Sequence, residues 1–411
     1  MMHPLLTVTS KKAVAALVPR FFATAAGQFV PREAEHPPAE QTSNDRMKTF
    51  YHSETIVDKC PEQELMEKPG PGSDLMFGHH YADHMMDVDW DETTGWERPH
   101  VHKIGPISLH PGAKVLHYAI ELFEGMKAYR GIDNRIRLFR PDMNMSRMRR
   151  TAKRAALPDF DAEELTKIIV DMIRIDQEWV PFSLTSSLYI RPTFIGTDLF
   201  VLTGPVGQYY ATGFKPVSLL ADSEYVRAFP GGVGAYKMGC NYAPTIGVGK
   251  AAADKGCQQV LWLHAGKDGN EDITEVGTMN IFVFWKNEKN ELELVTPPLE
   301  KGLILPGVTR DSLLHLAHMY NEFKVSERFI NMNEIRRALK EKRLMQIFGS
   351  GTACVVSPVG RILYRDPETK QYEELIIPTM QSNPNIMQRF YEDINDIQYG
   401  RREMPGWTVE V

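Results

Sequence analysis

The chain has few cysteines, no long apolar run and little excess charge. Its four cysteines, Cys60, Cys240, Cys257 and Cys354, are scattered over 411 residues. They are too sparse for a disulfide scaffold and lack the CxxC pairing of a zinc site. No run reaches the ~20 consecutive apolar residues that span a bilayer. The 47 Lys and Arg against 53 Asp and Glu leave a net charge of -6, which offers no basic surface to nucleic acid or an anionic membrane. What is present is ordinary globular material. With 43% hydrophobic and 24% charged residues, the chain has enough apolar content for a large core divided among two or three domains.

Lys11, Lys12, Arg20 and Arg32 all precede the first acidic residue, Glu33. A basic, acid-free leader over 1–32 reads as a transit peptide and places the protein in the mitochondrial matrix. The competing secretory reading rests on AVAALV (13–18), which Pro19 and Arg20 interrupt. Residues 33–75, rich in Glu, Pro and Gln, read as an extended arm or linker. A first lobe is expected over 76–203, a Gly/Pro-containing linker over 204–213, and a second lobe over 214–411. Strand patterns occur at 187–195, 216–221, 259–265, 281–285 and 292–296. Helical spacing predicts helices at 309–323, 333–341 and 385–397, and a further one carrying Leu165, Ile168, Ile169, Met172 and Ile173 on one face. Strands and helices mix throughout, so the fold class is α/β, or α+β, with two lobes.

Four segments carry candidate chemistry. In GGVGAYKMGCNYAP (231–244), glycines surround Lys237, with Tyr242 five residues on. The spacing fits neither a phosphate loop nor a dinucleotide fingerprint. A lysine on such a backbone is a candidate amine nucleophile, and equally a solvated side chain on a glycine-rich turn. TEVGTMNIFVFW (274–285) places Glu275 and Thr278 ahead of an apolar strand, where a carboxylate either meets a ligand or caps a turn. LPGVTRDS (305–312) puts Thr309 at a helix start, as an anion seat or as an ordinary N-cap. FGSGTACVVSP (348–358) opens the backbone beside Thr352. His79, His80 and His84 lie close together but lack a zinc-hydrolase spacing, so no metal is expected. The basic run RMRRTAKR (147–154) is a solvated helix face from which Arg147 alone is a candidate to point inward. Together, an amine, a carboxylate and two anion-binding turns suit a phosphorylated aldehyde cofactor held as a Schiff base.

The same segments, with LHYAIELFEGMKAYRG (116–131), RLFRPDMNMSRM (137–148) and SLYIRP (187–192), occur in one register from Phe77 to the C-terminus. In that order they closely resemble the branched-chain amino acid aminotransferases, which are fold-type IV pyridoxal-phosphate enzymes. The resemblance implies a smaller N-terminal and a larger C-terminal lobe, with the cofactor between them, and a homodimer. It implies that Lys237 binds the cofactor aldehyde and shuttles the proton, that Tyr242 meets the phenolic oxygen, and that Glu275 faces the pyridine nitrogen. Arg147, Val308, Thr309 and Thr352 then seat the phosphate, and Arg227 lines the cofactor site. Phe77, Tyr118, Phe123 and Tyr189 match the aromatic wall for branched side chains, with Arg191, Thr278, Ala353 and Cys354 bordering the pocket. The implied reaction is ping-pong exchange of an amino group between L-leucine, L-isoleucine or L-valine and 2-oxoglutarate, yielding branched 2-oxo acids and L-glutamate. Within the same fold the rivals are a D-amino acid transaminase and an aminodeoxychorismate lyase. Outside enzymes, the rival is a non-catalytic scaffold, which would lack the Lys or Glu. One departure stands out. Mammalian members carry a redox-sensing CxxC where this chain reads Cys354-Val-Val-Ser357, and Ser357 cannot form a disulfide. Cys240, where relatives have Gly, is expected to be tolerated.

Overall fold

The computed structural model describes residues 43–70, 72–207, 215–266 and 270–411. The expected transit peptide and most of the expected 204–213 linker lie outside these residues. Two sheets organise the molecule. In the first, of ten strands, Ile56–Val57, His100–Lys103, His84–Asp91, Asp198–Val206, Ser187–Ile195, Met126–Arg130, Ile136–Phe139 and Thr408–Glu410 follow one another, with Gly95–Trp96 and Glu121–Phe123 attached. In the second, of nine strands, Glu271–Val276 pairs with both Gln259–Ala265 and Met279–Lys286, which closes part of the sheet on itself. Its central strand Val217–Ala221 runs parallel to both neighbours, Gln259–Ala265 and Val355–Arg365. Among the described residues no helix is long and apolar enough to cross a membrane.

The local patterns explain the elements. Asp161 caps the helix Ala162–Ile175 by accepting from the N–H groups of Glu163 and Glu164, which satisfies donors the helix itself cannot. The predicted apolar face of that helix, Leu165 through Ile173, is buried against Met145 and Met148 of the helix Pro141–Arg154 and the first sheet. Asn331 and Glu334 form a reciprocal capping box at the start of Met332–Lys340. The five strand patterns all appear, and SLYIRPTFI forms its strand over the predicted range Ser187–Ile195.

The arm over 33–75 stays largely exposed from Ile56 to Leu75 but is anchored at points. Phe50 is buried edge-on against Trp96 and stacked on Phe160, and Ile56–Val57 pairs with His100–Val101. One expected boundary differs. The C-terminal residues Thr408–Glu410 leave the second unit and pair with Ile136–Phe139 of the first sheet, guided by Trp407 packing on Phe139 and Arg140.

Candidate active site

Lys237 lies on the loop between the strand Val217–Ala221 and the helix Thr245–Asp254. The side-chain amide of Asn241 holds that loop by donating to the carbonyls of Val233 and Tyr236 at 2.9 and 2.8 Å. A bridge between Leu122 and Met238, and a 3.1 Å bond from the Phe123 N–H to the Lys237 carbonyl, pin it to the first sheet. The lysine therefore stands where the two sheets meet. Its Nζ is 3.2 Å from the Tyr242 hydroxyl and 4.7 Å from the centre of the Phe123 ring. Burial, reinforced by the positive charge of Arg147, lowers its amine to about 8. Burial pushes the Tyr242 hydroxyl up to about 12, so it keeps its proton at neutral pH.

Glu275 is buried near the end of the strand Glu271–Val276. Arg227 Nε approaches its Oε2 at 2.9 Å, and the Leu305 N–H donates to its Oε1 at 2.8 Å. Burial raises this carboxyl, while Arg227 and the Leu305 N–H act in the opposite direction. Arg227 is thus the partner that orients the carboxylate. Asn280, on the next strand, donates to the Leu305 carbonyl at 2.9 Å and ties the carboxylate to the 305–307 turn.

That turn leads into the helix Val308–Tyr320, whose N-cap is Gly307. Thr309 is therefore the second helical residue and not the cap. Gly307 offers no capping side chain, so the first-turn N–H groups stay free for an anion. A Cβ at residue 307 would meet Asn280 Oδ1 at 2.1 Å, which explains the glycine. Arg147 donates to the Pro306 carbonyl at 3.0 Å, so its guanidinium stands beside this helix start. It is the candidate inward member of the basic run, and the structure buries it. Thr352 and Ala353 form the tight turn between the strands Leu344–Gly351 and Val355–Arg365.

The aromatic residues are only partly brought together. The rings of Phe77 and Tyr189 stand 4.6 Å apart, and Phe123 lies 4.9 Å from Tyr242. The Arg191 guanidinium sits 4.6 Å from the Phe123 ring and donates to the Tyr189 hydroxyl at 2.8 Å. Tyr118, by contrast, is 64% exposed at the end of the short helix Lys114–Tyr118, and Thr278 is exposed on its hairpin turn. Within one chain neither joins the cluster. Cys354 faces Met279, with Sγ 3.1 Å from Sδ. Burial pushes its thiol up to about 12, which leaves little of the thiolate that oxidation requires.

Reasoning from motifs alone missed Glu124. This buried carboxylate accepts from Arg147 Nε and Nη2, both at 2.7 Å, and from Asn144 at 2.9 Å. Burial raises its pKa, but Arg147 outweighs that effect and holds the carboxyl below its ordinary value. The signal was a single carboxylate in the apolar stretch LFEGM, which must find a cation if the strand is buried. His84 is structural. Its Nε2 accepts from the Cys60 N–H at 2.8 Å, which leaves Nδ1 to donate to Asp176 at 2.7 Å.

The family model for Amino-transferase class IV matches residues 121–362. The chain belongs to the class IV aminotransferases. It is 60% identical to a cytosolic branched-chain-amino-acid aminotransferase of Caenorhabditis elegans, over 95% of this chain and 96% of that protein. It is 49% identical to the mitochondrial form of Bos taurus, over 83% and 87% of the two chains. Among solved structures, the Escherichia coli branched-chain amino acid aminotransferase aligns with a TM-score of 0.58 and 26% identity, over 73% of this chain and 93% of that one. The Thermoproteus uzoniensis branched-chain aminotransferase with norvaline aligns with a TM-score of 0.61 and 22% identity, over 80% and 99%.

Class IV aminotransferases use pyridoxal phosphate, and the donor set fits it. An amine suits the aldehyde, a paired carboxylate the ring nitrogen, a protonated tyrosine the phenolic oxygen, and an uncapped helix start beside an arginine the phosphate. Only the free base of Lys237 attacks an aldehyde. Capture of the cofactor by the apoenzyme is therefore expected to quicken as pH rises, by about tenfold per unit, and to level off above a midpoint near 8. Stopped-flow absorption checks this. A rate still climbing at about pH 10, where ordinary lysines titrate, would contradict it.

Proposed function

We propose that this protein transfers the amino group of L-leucine, L-isoleucine or L-valine to 2-oxoglutarate, with branched 2-oxo acids and L-glutamate as products. The observation that carries this reading is the juxtaposition of Lys237, Tyr242 and Phe123 with the Phe77–Tyr189 aromatic pair. It places an amine of lowered basicity against an apolar wall. When bound, pyridoxal phosphate supplies the electron sink and carries the amino group between the two half-reactions.

The chain's own residues divide the remaining work. Lys237 offers an amine of lowered basicity whose free base moves the proton at the amino acid Cα. Tyr242 keeps its proton as a hydrogen-bond donor, and Glu275, oriented by Arg227, presents its charge to the ring nitrogen. Arg147, Val308, Thr309 and Thr352 hold the phosphate. The aromatic wall of Phe77, Phe123 and Tyr189 accepts the branched side chain, at about 0.8 kcal/mol per buried methylene. Ala353, Cys354 and Arg191 border the substrate, and the Arg191–Tyr189 pair is suited to the second carboxylate of glutamate. A homodimer is part of the proposal. The exposed apolar residues Ile107, Leu109, Leu116 and Tyr118 supply the face, and Tyr118 joins a pocket only through such an association. The basic leader supports a mitochondrial location, although relatives occur in both compartments.

L-leucine added alone to the loaded enzyme is expected to convert the visible absorption of the cofactor to that of its amino form, and 2-oxoglutarate to restore it. Conversion by D-alanine but not by L-leucine would replace this reading with that of a D-amino acid transaminase. Sedimentation of the loaded enzyme tests the dimer, and a fluorescent fusion to residues 1–32 tests the compartment.

A further inference from the structure

Behind the Thr352–Cys354 turn lies a cavity of ≈ 70 Å³. Three elements bring buried polar groups to its wall. Lys127, 7% exposed, comes from the strand Met126–Arg130, Ser357, 2% exposed, from Val355–Arg365, and Gln398, 4% exposed, from the last position of the helix Ile386–Gln398. The Lys127 ammonium donates to the Ala353 carbonyl at 2.9 Å, which uses one of its three hydrogens. Ser357 Oγ and Gln398 Oε1 have no hydrogen-bond partner among the described residues.

None of the residues lining the cavity is acidic. Burial lowers the Lys127 amine to about 8, and the one ionisable group acting on it is Cys354. At neutral pH the group is still mostly charged, and an enclosed ammonium without an anion is costly. Water can solvate that ammonium but cannot neutralise it. Turning the Gln398 amide by 180°, which exchanges its oxygen and nitrogen, puts an N–H donor at the position of that unpartnered oxygen.

We infer that this cavity is a binding site for a small monovalent anion of chloride size, held by Lys127, Ser357 and Gln398. The volume suffices, since one water needs only about 10–15 Å³ by this kind of measure. The bound anion keeps Lys127 protonated and so keeps the Ala353 carbonyl tied down. That fixes the turn whose other face borders the proposed substrate pocket. The anion site itself does not depend on the substrate assignment, because it is read out by binding alone.

Crystals of the pyridoxal-phosphate-loaded enzyme grown in bromide are expected to show an anomalous peak within about 3.5 Å of Lys127 Nζ and Ser357 Oγ. The peak should be absent from Lys127→Met. In solution, the melting temperature of the loaded enzyme should rise with chloride substituted for gluconate at constant ionic strength. That dependence should vanish in Lys127→Met and weaken in Ser357→Ala, the variant that serves if the lysine substitution fails to fold. A cavity filled by water without anomalous signal overturns the inference. So does a bromide peak unaccompanied by any chloride dependence in solution, which would mark an adventitious ion only.

Discussion

Lys237→Ala is expected to lower the turnover of L-leucine by about 10⁴-fold or more, since it removes both the covalent anchor and the proton carrier. The fold should survive. The loop is held by backbone and by Asn241: the Lys237 N–H donates to Thr151 Oγ1 at 3.3 Å, and the Lys237 carbonyl accepts from the Phe123 N–H. Among the described residues the side chain itself makes one hydrogen bond, to Tyr242. Lys237→Arg separates charge from nucleophilicity. A guanidinium stays protonated, so this variant should be as inactive as the alanine while retaining the positive charge. Turnover, cofactor absorption and thermal melting of both variants form the test. Activity within tenfold of the parent in either variant would move the nucleophile elsewhere.

The second large effect is expected at Glu124. Breaking a buried ion pair by removing one partner typically costs about 3–5 kcal/mol, and Glu124→Ala would leave Arg147 enclosed with its Nε and Nη2 hydrogens unmatched. Asn144 would lose an acceptor as well. Urea unfolding of the apoenzyme should report that destabilisation, and the loaded enzyme should show weakened phosphate binding, because Arg147 loses the contact that aims it toward the helix start at Val308. Glu124→Gln keeps the shape and should cost less. The pH dependence has a definite sign. Glu124 is held below its unfolded value, so its contribution is fully present above about 4.3 and is lost as pH falls through the folded value. The stability gap between parent and Glu124→Gln should therefore close in acid. A gap that persists unchanged, or an unfolding cost under about 1 kcal/mol for Glu124→Ala, would show that the pair is not the anchor described.

Much of the architecture was legible because it is periodic. The i, i+3, i+4 spacing of Leu165 to Ile173 determined which face of that helix is buried, and the β-formers of SLYIRPTFI marked a strand without help from distant residues. What was not legible has a common character. The arm over 33–75 looked unable to pack because its composition is polar, yet one residue, Phe50, finds Trp96 and Phe160. Tyr118 and Thr278 belong to motifs that carry the family resemblance, but a motif does not say whether a side chain points into its own chain's pocket or away from it.

The sequence by itself determined the class of chemistry. An amine, a carboxylate and two candidate anion-binding turns in a fixed order are properties of residue type and short-range spacing. Tertiary structure alone decided how those groups are tuned. Arg227 serves Glu275, Glu124 neutralises Arg147, and Lys127 grips the Ala353 carbonyl across 226 positions of chain. The reason is physical. Basicity and orientation are set by burial and by the nearest opposite charge, and in a folded chain both come from segments that local sequence cannot pair.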